Sequence, residues 1–222
     1  MRLPMVQSPE AHEPLILCFD TETTGLPLKR LPAWHERQPH CVQIGAVLCN
    51  QEGREVEALD VIIAPDGWHI PPRVAAIHGI TTAKARRVGV PAAEALGRFI
   101  ALAKRADVIV GHNVRFDRHI IRTMIHRHGE AAGWSQAVAD GMHERGLRFF
   151  CTMQAATPVM RLPFPARRWG GGYKAPKLAE ALAHFTNLSF DDLGPAHNAL
   201  HDARAAMAVY WGMREAGVTV PF

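Results

Sequence analysis

The sequence predicts an α/β fold, a mixed central sheet that opens with a three-strand meander and is flanked by helices. Two patterns carry that expectation. Three apolar runs of strand length lie near the start, separated by turn and loop residues, and from Pro91 onward helix-period segments alternate with short strand-like runs. Size is consistent with it: 222 residues suit one domain with extensions. A chain of that length buries roughly 70% of the surface its unfolded form exposes, so it can hold a core without disulfide or metal staples.

Residues 1–13 read as a short irregular arm, 14–216 as the domain and 217–222 as a short tail. The run Leu15-Ile16-Leu17-Cys18-Phe19 ends in Asp20 and reads as a buried strand, stopped by Gly25 and Pro27. Leu26 to His40 is a loop rich in Pro and Arg. Val42–Leu48 and Val56–Ala64 are the next strands, joined by a turn around Asn50–Gly53. Pro91 starts a helix over Ala92–Lys104. The strand Val108–Val110 ends at Gly111, a helix covers Phe116–His128, and Leu147–Cys151 is a short strand. Helices over Pro176–His184 and Ala196–Met213 complete the domain.

Composition excludes several classes. With 48% hydrophobic and 21% charged residues the chain is an ordinary globular one, not a disordered one. It has no apolar run of about 18 residues to span a membrane. Glu10 and Glu13 stand where a secretory leader would need an apolar segment, so a cytoplasmic location is expected. Cys18, Cys41, Cys49 and Cys151 are widely spaced and form no C-x-x-C pair, as expected of free thiols. A net charge of +4 permits a polyanionic partner without requiring one.

Four carboxylates and one histidine fall where strands and helices end. Asp20 and Glu22 share a face at the end of the first strand. Asp117 opens the helix after Gly111. His197 and Asp202, spaced H-x4-D on the last predicted helix, are placed to face the sheet together. Carboxylates gathered at one strand end repel one another unless cations neutralise them, and hard oxygen ligands suit Mg²⁺ or Mn²⁺. Two such ions about 3.5–4 Å apart can hold both the attacking and the leaving oxygen of a phosphoryl displacement, while a nearby imidazole takes a proton from water. Taken singly, each residue has a bland explanation: D-x-E after a strand is common, and Asp117 could serve only the helix dipole. Only the set is informative.

Phe19-Asp20-Thr21-Glu22-Thr23-Thr24-Gly25-Leu26 resembles the first motif of the DEDDh 3′–5′ exonucleases, the proofreading group of the ribonuclease-H-like superfamily that includes the epsilon subunit of DNA polymerase III. His112-Asn113-Val114-Arg115-Phe116-Asp117 is similar to the second motif, and His197-Asn198-Ala199-Leu200-His201-Asp202-Ala203 to the third. Lesser echoes are Gln43-Ile44-Gly45-Ala46, Ile77-His78-Gly79-Ile80-Thr81 and Cys151-Thr152-Met153, in an order that runs from about Leu15 to Tyr210.

The resemblance implies a ribonuclease-H-like sheet and two-metal hydrolysis releasing nucleoside 5′-monophosphates from a 3′ end. Asp20 would bridge both ions, Glu22 and Asp202 would complete the site that holds the attacking water, Asp117 would support the second ion, and His197 would be the general base. Thr23 and Leu26 match positions that contact the terminal nucleotide, and His112, Asn113 and Phe116 belong with them as substrate-binding candidates. Thr23 stands where oligoribonuclease-type relatives carry an apolar residue, which favours single-stranded DNA over RNA as partner. An RNA-trimming enzyme, or a catalytically inactive module that binds nucleic acid or a polymerase on the same fold, is the alternative. A polymerase or homodimer contact would have to use a surface patch, since few residues follow the last helix.

Two loops depart from the family pattern. Leu26–His40 is longer than the usual link, and its Lys29, Arg30, Trp34 and Arg37 read as either a substrate contact or a solvated insertion. Arg167–Lys174 interleaves basic and aromatic residues with glycines, and makes Arg168 and Trp169 candidates for binding unpaired nucleotides. His197 and His201 also spell H-x-x-x-H, but Asn198 stands where a zinc protease needs Glu. An aspartate-nucleophile phosphatase would want Asp in place of Glu22 and would leave Asp117 and His197 without roles.

Overall fold

A computed structural model describes residues 13–132, 148–164 and 172–222. Strands β1 (Ile16–Thr23), β2 (Cys41–Cys49) and β3 (Glu55–Ile62) pair antiparallel in sequence. β4 (Val108–Gly111) joins the other side of β1 in parallel, and β5 (Arg148–Cys151) joins β4 the same way. The order β3-β2-β1-β4-β5 is the mixed sheet expected, with β1 at its centre. Helices are α1 (Pro72–His78), α2 (Thr82–Val88), α3 (Ala92–Ala103), α4 (Val114–His128), α5 (Thr152–Met160), α6 (Leu178–Phe185), α7 (Phe190–Leu193) and α8 (Ala199–Glu215).

The period of two along β1 sorts its side chains between two cores. Leu17 and Phe19 pack with Leu96, Phe99 and Ile100 of α3 and Ile120, Ile121 and Met124 of α4. Ile16 and Cys18 pack on the opposite face with Ala206, Met207 and Tyr210 of α8. Burying an aromatic or aliphatic side chain of this kind contributes about 1.5–3 kcal/mol, so the strand is fixed in register and cannot slip by one residue without turning both cores outward. The same alternation carries Asp20 and Glu22 onto the α8 face and Thr21 onto the α4 face.

Small residues let α8 lie close to the sheet. Ala199, Ala203 and Ala206 face inward and are buried. A Cβ on Gly45 of β2 would stand 2.0 Å from Leu200 N and 2.1 Å from Ala199 C, so only glycine admits the N-terminus of α8 at this point. Val218 and Val220 pack back beside α6 and α8, and the Tyr210 hydroxyl donates to the Pro221 carbonyl, so residues 217–222 are docked on the domain.

Some expected boundaries move. The last helix starts at Ala199, not Ala196: Asn198 is its cap, accepting from Leu200 N at 3.2 Å and His201 N at 3.3 Å. His197 lies outside the helix with φ +61°, so it shares no helix face with Asp202 or His201. α4 begins two residues early, after Asn113 in the left-handed region, and α6 begins two residues late because Lys177 is extended. α1, α2, α5 and α7 are additions. Three of them are seven residues or fewer, and α5 carries two threonines and Pro158, which weaken any helical signal. Residues 1–12 and Leu147 lie outside the described residues. All four cysteines are buried free thiols, and no helix among the described residues is long and apolar enough to cross a membrane.

Candidate active site

The end of β1 is where the polar residues of all three motifs meet. Asp20 and Glu22 come from β1 on the α8 face. Asp117, from the first turn of α4 on the other face, reaches the same edge and is nearly fully buried. Its Oδ1 accepts from the Thr21 backbone N–H at 3.0 Å and from the Thr21 hydroxyl at 2.7 Å. Thr21, between the two β1 carboxylates, therefore ties the second motif to the first. Asp202 sits in the first turn of α8, where its Oδ2 accepts from the His197 backbone N–H at 3.2 Å. That bond folds the loop before α8 back over the carboxylate and brings the exposed His197 side chain alongside it.

β2 sets the height of α8 above this edge. Gln43 accepts from Ala199 N at 3.2 Å and donates to Asp60 Oδ1 of β3 at 2.6 Å. Gly45 lies opposite Asp20 in the ladder and gives α8 its close approach. The Gln43-Ile44-Gly45-Ala46 echo is thus the seat of the third motif. Gln43, Gly45 and Thr21 are functional positions absent from the sequence-derived set; for Thr21 no signal beyond its place in the first motif existed.

Electrostatics mark the cluster as unfinished on its own. Burial, then Asp117, Asp202 and Glu22, raise Asp20 well above the usual carboxylate range. Burial and the charges of Asp202 and Asp117 push Glu22 up to about 8. Burial takes Asp117 to about 7 despite its bonds from Thr21, and Asp202 to about 6 although His197 favours its ionised form. Among the described residues no Lys or Arg pairs with any of the four. Asp202 Oδ1 is buried without a hydrogen-bond partner. One ligand atom from each of Glu22, His197 and Asp202 falls within 4.8 Å of the others. An orphaned carboxylate oxygen among mutually repelling carboxylates fits a divalent cation, which would satisfy both.

The substrate-binding candidates separate. Thr23 is buried and its hydroxyl donates to Gly25 O at 2.8 Å, shaping the turn that leaves Leu26 80% exposed beside the site. Asn113 is exposed, and Phe116 is half-buried against the α3–α4 core. His112 is engaged by the protein: Nδ1 meets Thr152 Oγ1 at 3.0 Å and Nε2 meets Pro176 O at 2.9 Å. Both ring nitrogens are spent joining β4 to α5 and the segment before α6, so His112 offers none to a substrate, and the Cys151-Thr152-Met153 echo is its partner. Arg168 and Trp169 lie outside the described residues.

A family model for an exonuclease, RNase_T, matches residues 17–210. No curated protein matches the chain significantly. Among solved structures, Escherichia coli exonuclease I in complex with a dA16 oligonucleotide is similar, with TM-score 0.66 and 21% identity over 91% of this chain and 41% of that chain. The zinc-bound form of its complex with single-stranded DNA gives TM-score 0.68 and 21% identity over 91% and 41%. A product-bound exonuclease I gives 0.65 and 20% over 91% and 44%. This chain thus spans roughly two-fifths of the length of those proteins, and the likeness establishes the ribonuclease-H-like exonuclease fold. With the family model covering all three motifs and nearly every element of the sheet, the chain belongs to the RNase_T exonuclease family of the DEDD superfamily.

Proposed function

We propose that the protein is a DEDDh-type 3′–5′ exonuclease that depends on two divalent ions, Mg²⁺ or Mn²⁺. Its substrate is single-stranded nucleic acid, DNA in preference to RNA, and its products are nucleoside 5′-monophosphates. The observation that carries this is the meeting of Asp20, Glu22, Asp117 and Asp202 at one sheet end, with no Lys or Arg among the described residues pairing with them, beside His197.

Divalent ions held by these carboxylates would neutralise them, polarise the scissile phosphate and ease ionisation of water. Asp20, central in the sheet, would be the shared ligand; Glu22 and Asp202 on the α8 face would hold the ions with it, and Asp117, whose Oδ1 is gripped by Thr21, would support them from the α4 side. An imidazole nitrogen of His197 takes the proton as water oxygen attacks phosphorus. The bond from phosphorus to the 3′ oxygen breaks, which frees one nucleotide with its 5′-phosphate; the departing 3′ oxygen takes a proton from solvent and becomes the new 3′-hydroxyl of the strand. Leu26 stands ready to pack against the terminal base. Placement of His197 outside the helix suits a base, because the residue is exposed to solvent beside Glu22 and Asp202.

The products test this reading. With 3′-labelled DNA and RNA of one sequence, the first labelled product should be the nucleoside 5′-monophosphate, formed faster from DNA. A 3′-monophosphate, or release of an oligonucleotide, would refute it; faster release from RNA would reassign the substrate.

A further inference from the structure

The loop 26–40, longer than a strand connection needs, is a built element. Its ends are clamped together by Thr24 N–H to His40 O and by His40 N–H to Thr24 Oγ1, both 2.9 Å. At its centre the Gln38 carboxamide, 2% exposed, accepts from Leu28 N at 3.0 Å and donates to the carbonyls of Leu28, Leu31 and Pro32 at 3.2, 2.9 and 3.1 Å. From α4, the Arg127 guanidinium donates to the carbonyls of Glu36, Gln38 and Pro39 at 2.9, 2.7 and 3.0 Å. Closed ends and an internal polar core make this an Ω-loop, a form that fixes side chains in place.

What the loop holds out is unlike a solvated connection. Trp34 is 62% exposed and stacks on His35, with ring centroids 6.4 Å apart and 22° between planes. The loop carries three cations, Lys29, Arg30 and Arg37, and one acid, Glu36. Arg73 of α1 joins Arg37, Glu36, Leu26 and Leu28 around a cleft of about 310 Å³ that starts at Thr24 and Gly25, at the end of the first motif. None of these four cations makes an ion pair among the described residues.

We propose that loop 26–40 and Arg73 bind the single strand on the 5′ side of the scissile phosphate, with Trp34 stacking a base and Arg37 and Arg73 meeting phosphates. This rests on the exonuclease reading. An enzyme that trims from the 3′ end meets one nucleotide beyond the cut, so the rest of its grip on the strand lies upstream. The cleft begins beside Leu26, the residue assigned to that terminal nucleotide, and holds Arg37 and Arg73, while the same loop exposes Trp34; cations with an aromatic face are the pairing that holds unstructured strands without reading sequence. Preorganisation by Gln38 and Arg127 removes the ordering cost that a floppy insertion would incur on binding.

The full-length protein tests this with two probes. Anisotropy of a labelled oligothymidylate of about twelve nucleotides, within the usual site sizes, reads strand binding in metal-free buffer. Hydrolysis of thymidine 5′-monophosphate p-nitrophenyl ester, which has no second nucleotide, reads the motif residues alone. Trp34→Ala should weaken oligonucleotide binding about 5- to 150-fold, the range for one lost base stack. Arg37→Ala combined with Arg73→Ala should reduce the slope of log K against log salt by about 1.4, at about 0.7 per phosphate on a single strand. Both variants should hydrolyse the ester like wild type. Unchanged affinity and salt slope, or equal losses on both probes, would overturn the proposal, as would a wild-type protein that binds no oligonucleotide. Wild-type binding that depends on these residues without hydrolysis of the ester would refute the exonuclease reading and leave the strand surface standing.

Discussion

Gly45→Ala puts the greatest strain on the assembly of the site for the least chemical change. The added Cβ would lie 2.0 Å from Leu200 N and 2.1 Å from Ala199 C. Ordinary contacts are about 3.5 Å, so the two backbones have to part by roughly 1.5 Å. Neither neighbour is a flexible side-chain tip that could swing away. α8 carries Asp202 in its first turn and His197 just before its cap, whereas Asp20 stays with the sheet. The displacement therefore opens the gap between the third motif and the first. Catalytic constellations tolerate about 0.5 Å, and a 1 Å misplacement costs about a hundredfold, so kcat should fall at least about a hundredfold while strand affinity is kept. Overpacking costs typically about 1–3 kcal/mol, or roughly 2–12 °C in Tm for a domain of this size. Gly97→Ala is the matched control: the new Cβ meets nothing within 4 Å inside α3, so it should leave kcat alone and raise stability by up to about 1 kcal/mol. Circular dichroism, melting curves and initial rates on a labelled single strand measure all three. A folded Gly45→Ala protein with wild-type kcat would refute the idea that close seating of α8 on β2 builds the site.

Other perturbations separate the roles of the remaining residues. His197→Ala should lower kcat by about 10²–10⁴ and leave strand affinity unchanged. If the loss falls on His201→Ala instead, whose Nδ1 already meets Pro195 O at 3.2 Å, the base is wrongly assigned. Thr21→Val keeps the shape and removes the 2.7 Å bond to Asp117; hydrogen bonds to charged groups are worth about 1.5–3 kcal/mol, so kcat should drop about tenfold or more, and an unchanged rate would mean the backbone N–H alone holds Asp117. Metal-free stability should depend on pH in a set direction. The site carboxylates titrate higher folded than unfolded, with Asp202 near 6, Asp117 near 7 and Glu22 near 8. The folded state then binds more protons, so stability is full below about pH 4 and is lost as pH rises towards 8. Mn²⁺ should raise Tm, and more at pH 8 than at pH 6; a shift that is absent, or larger at the lower pH, would contradict a preformed carboxylate site.

The central strand and its carboxylates were legible because an apolar run ending in D-x-E leaves few alternatives for register or face. Asp117 was legible as a charge after a strand and a glycine. What holds it was not: the bond from Thr21 joins residues 96 positions apart in sequence, and no local pattern encodes it. His197 was identified as a residue but misplaced, because H-x4-D fits a helix; the Asn198 cap and the positive φ at His197 decide otherwise. His112 looked like a substrate ligand because it stands in a motif, yet its partners Thr152 and Pro176 lie 40 and 64 residues away. α1 and α2 were missed since seven-residue helices carry too few turns for a period to emerge. For loop 26–40 the sequence leaves a substrate contact and a solvated insertion both open, because the order in it comes from Gln38 and Arg127, the second of which is supplied by α4.

The dependence of catalysis on divalent ions held by Asp20 and its neighbours is tested most directly by a time course with 5′-labelled single-stranded DNA in Mg²⁺, Mn²⁺ or chelator, run beside Asp20→Ala. The two-metal assignment predicts a ladder that shortens one nucleotide at a time from the 3′ end, vanishes in chelator and slows by about a thousandfold in the variant. Intact label in every lane from folded protein, or an equal ladder with chelator or with Asp20→Ala, would contradict it.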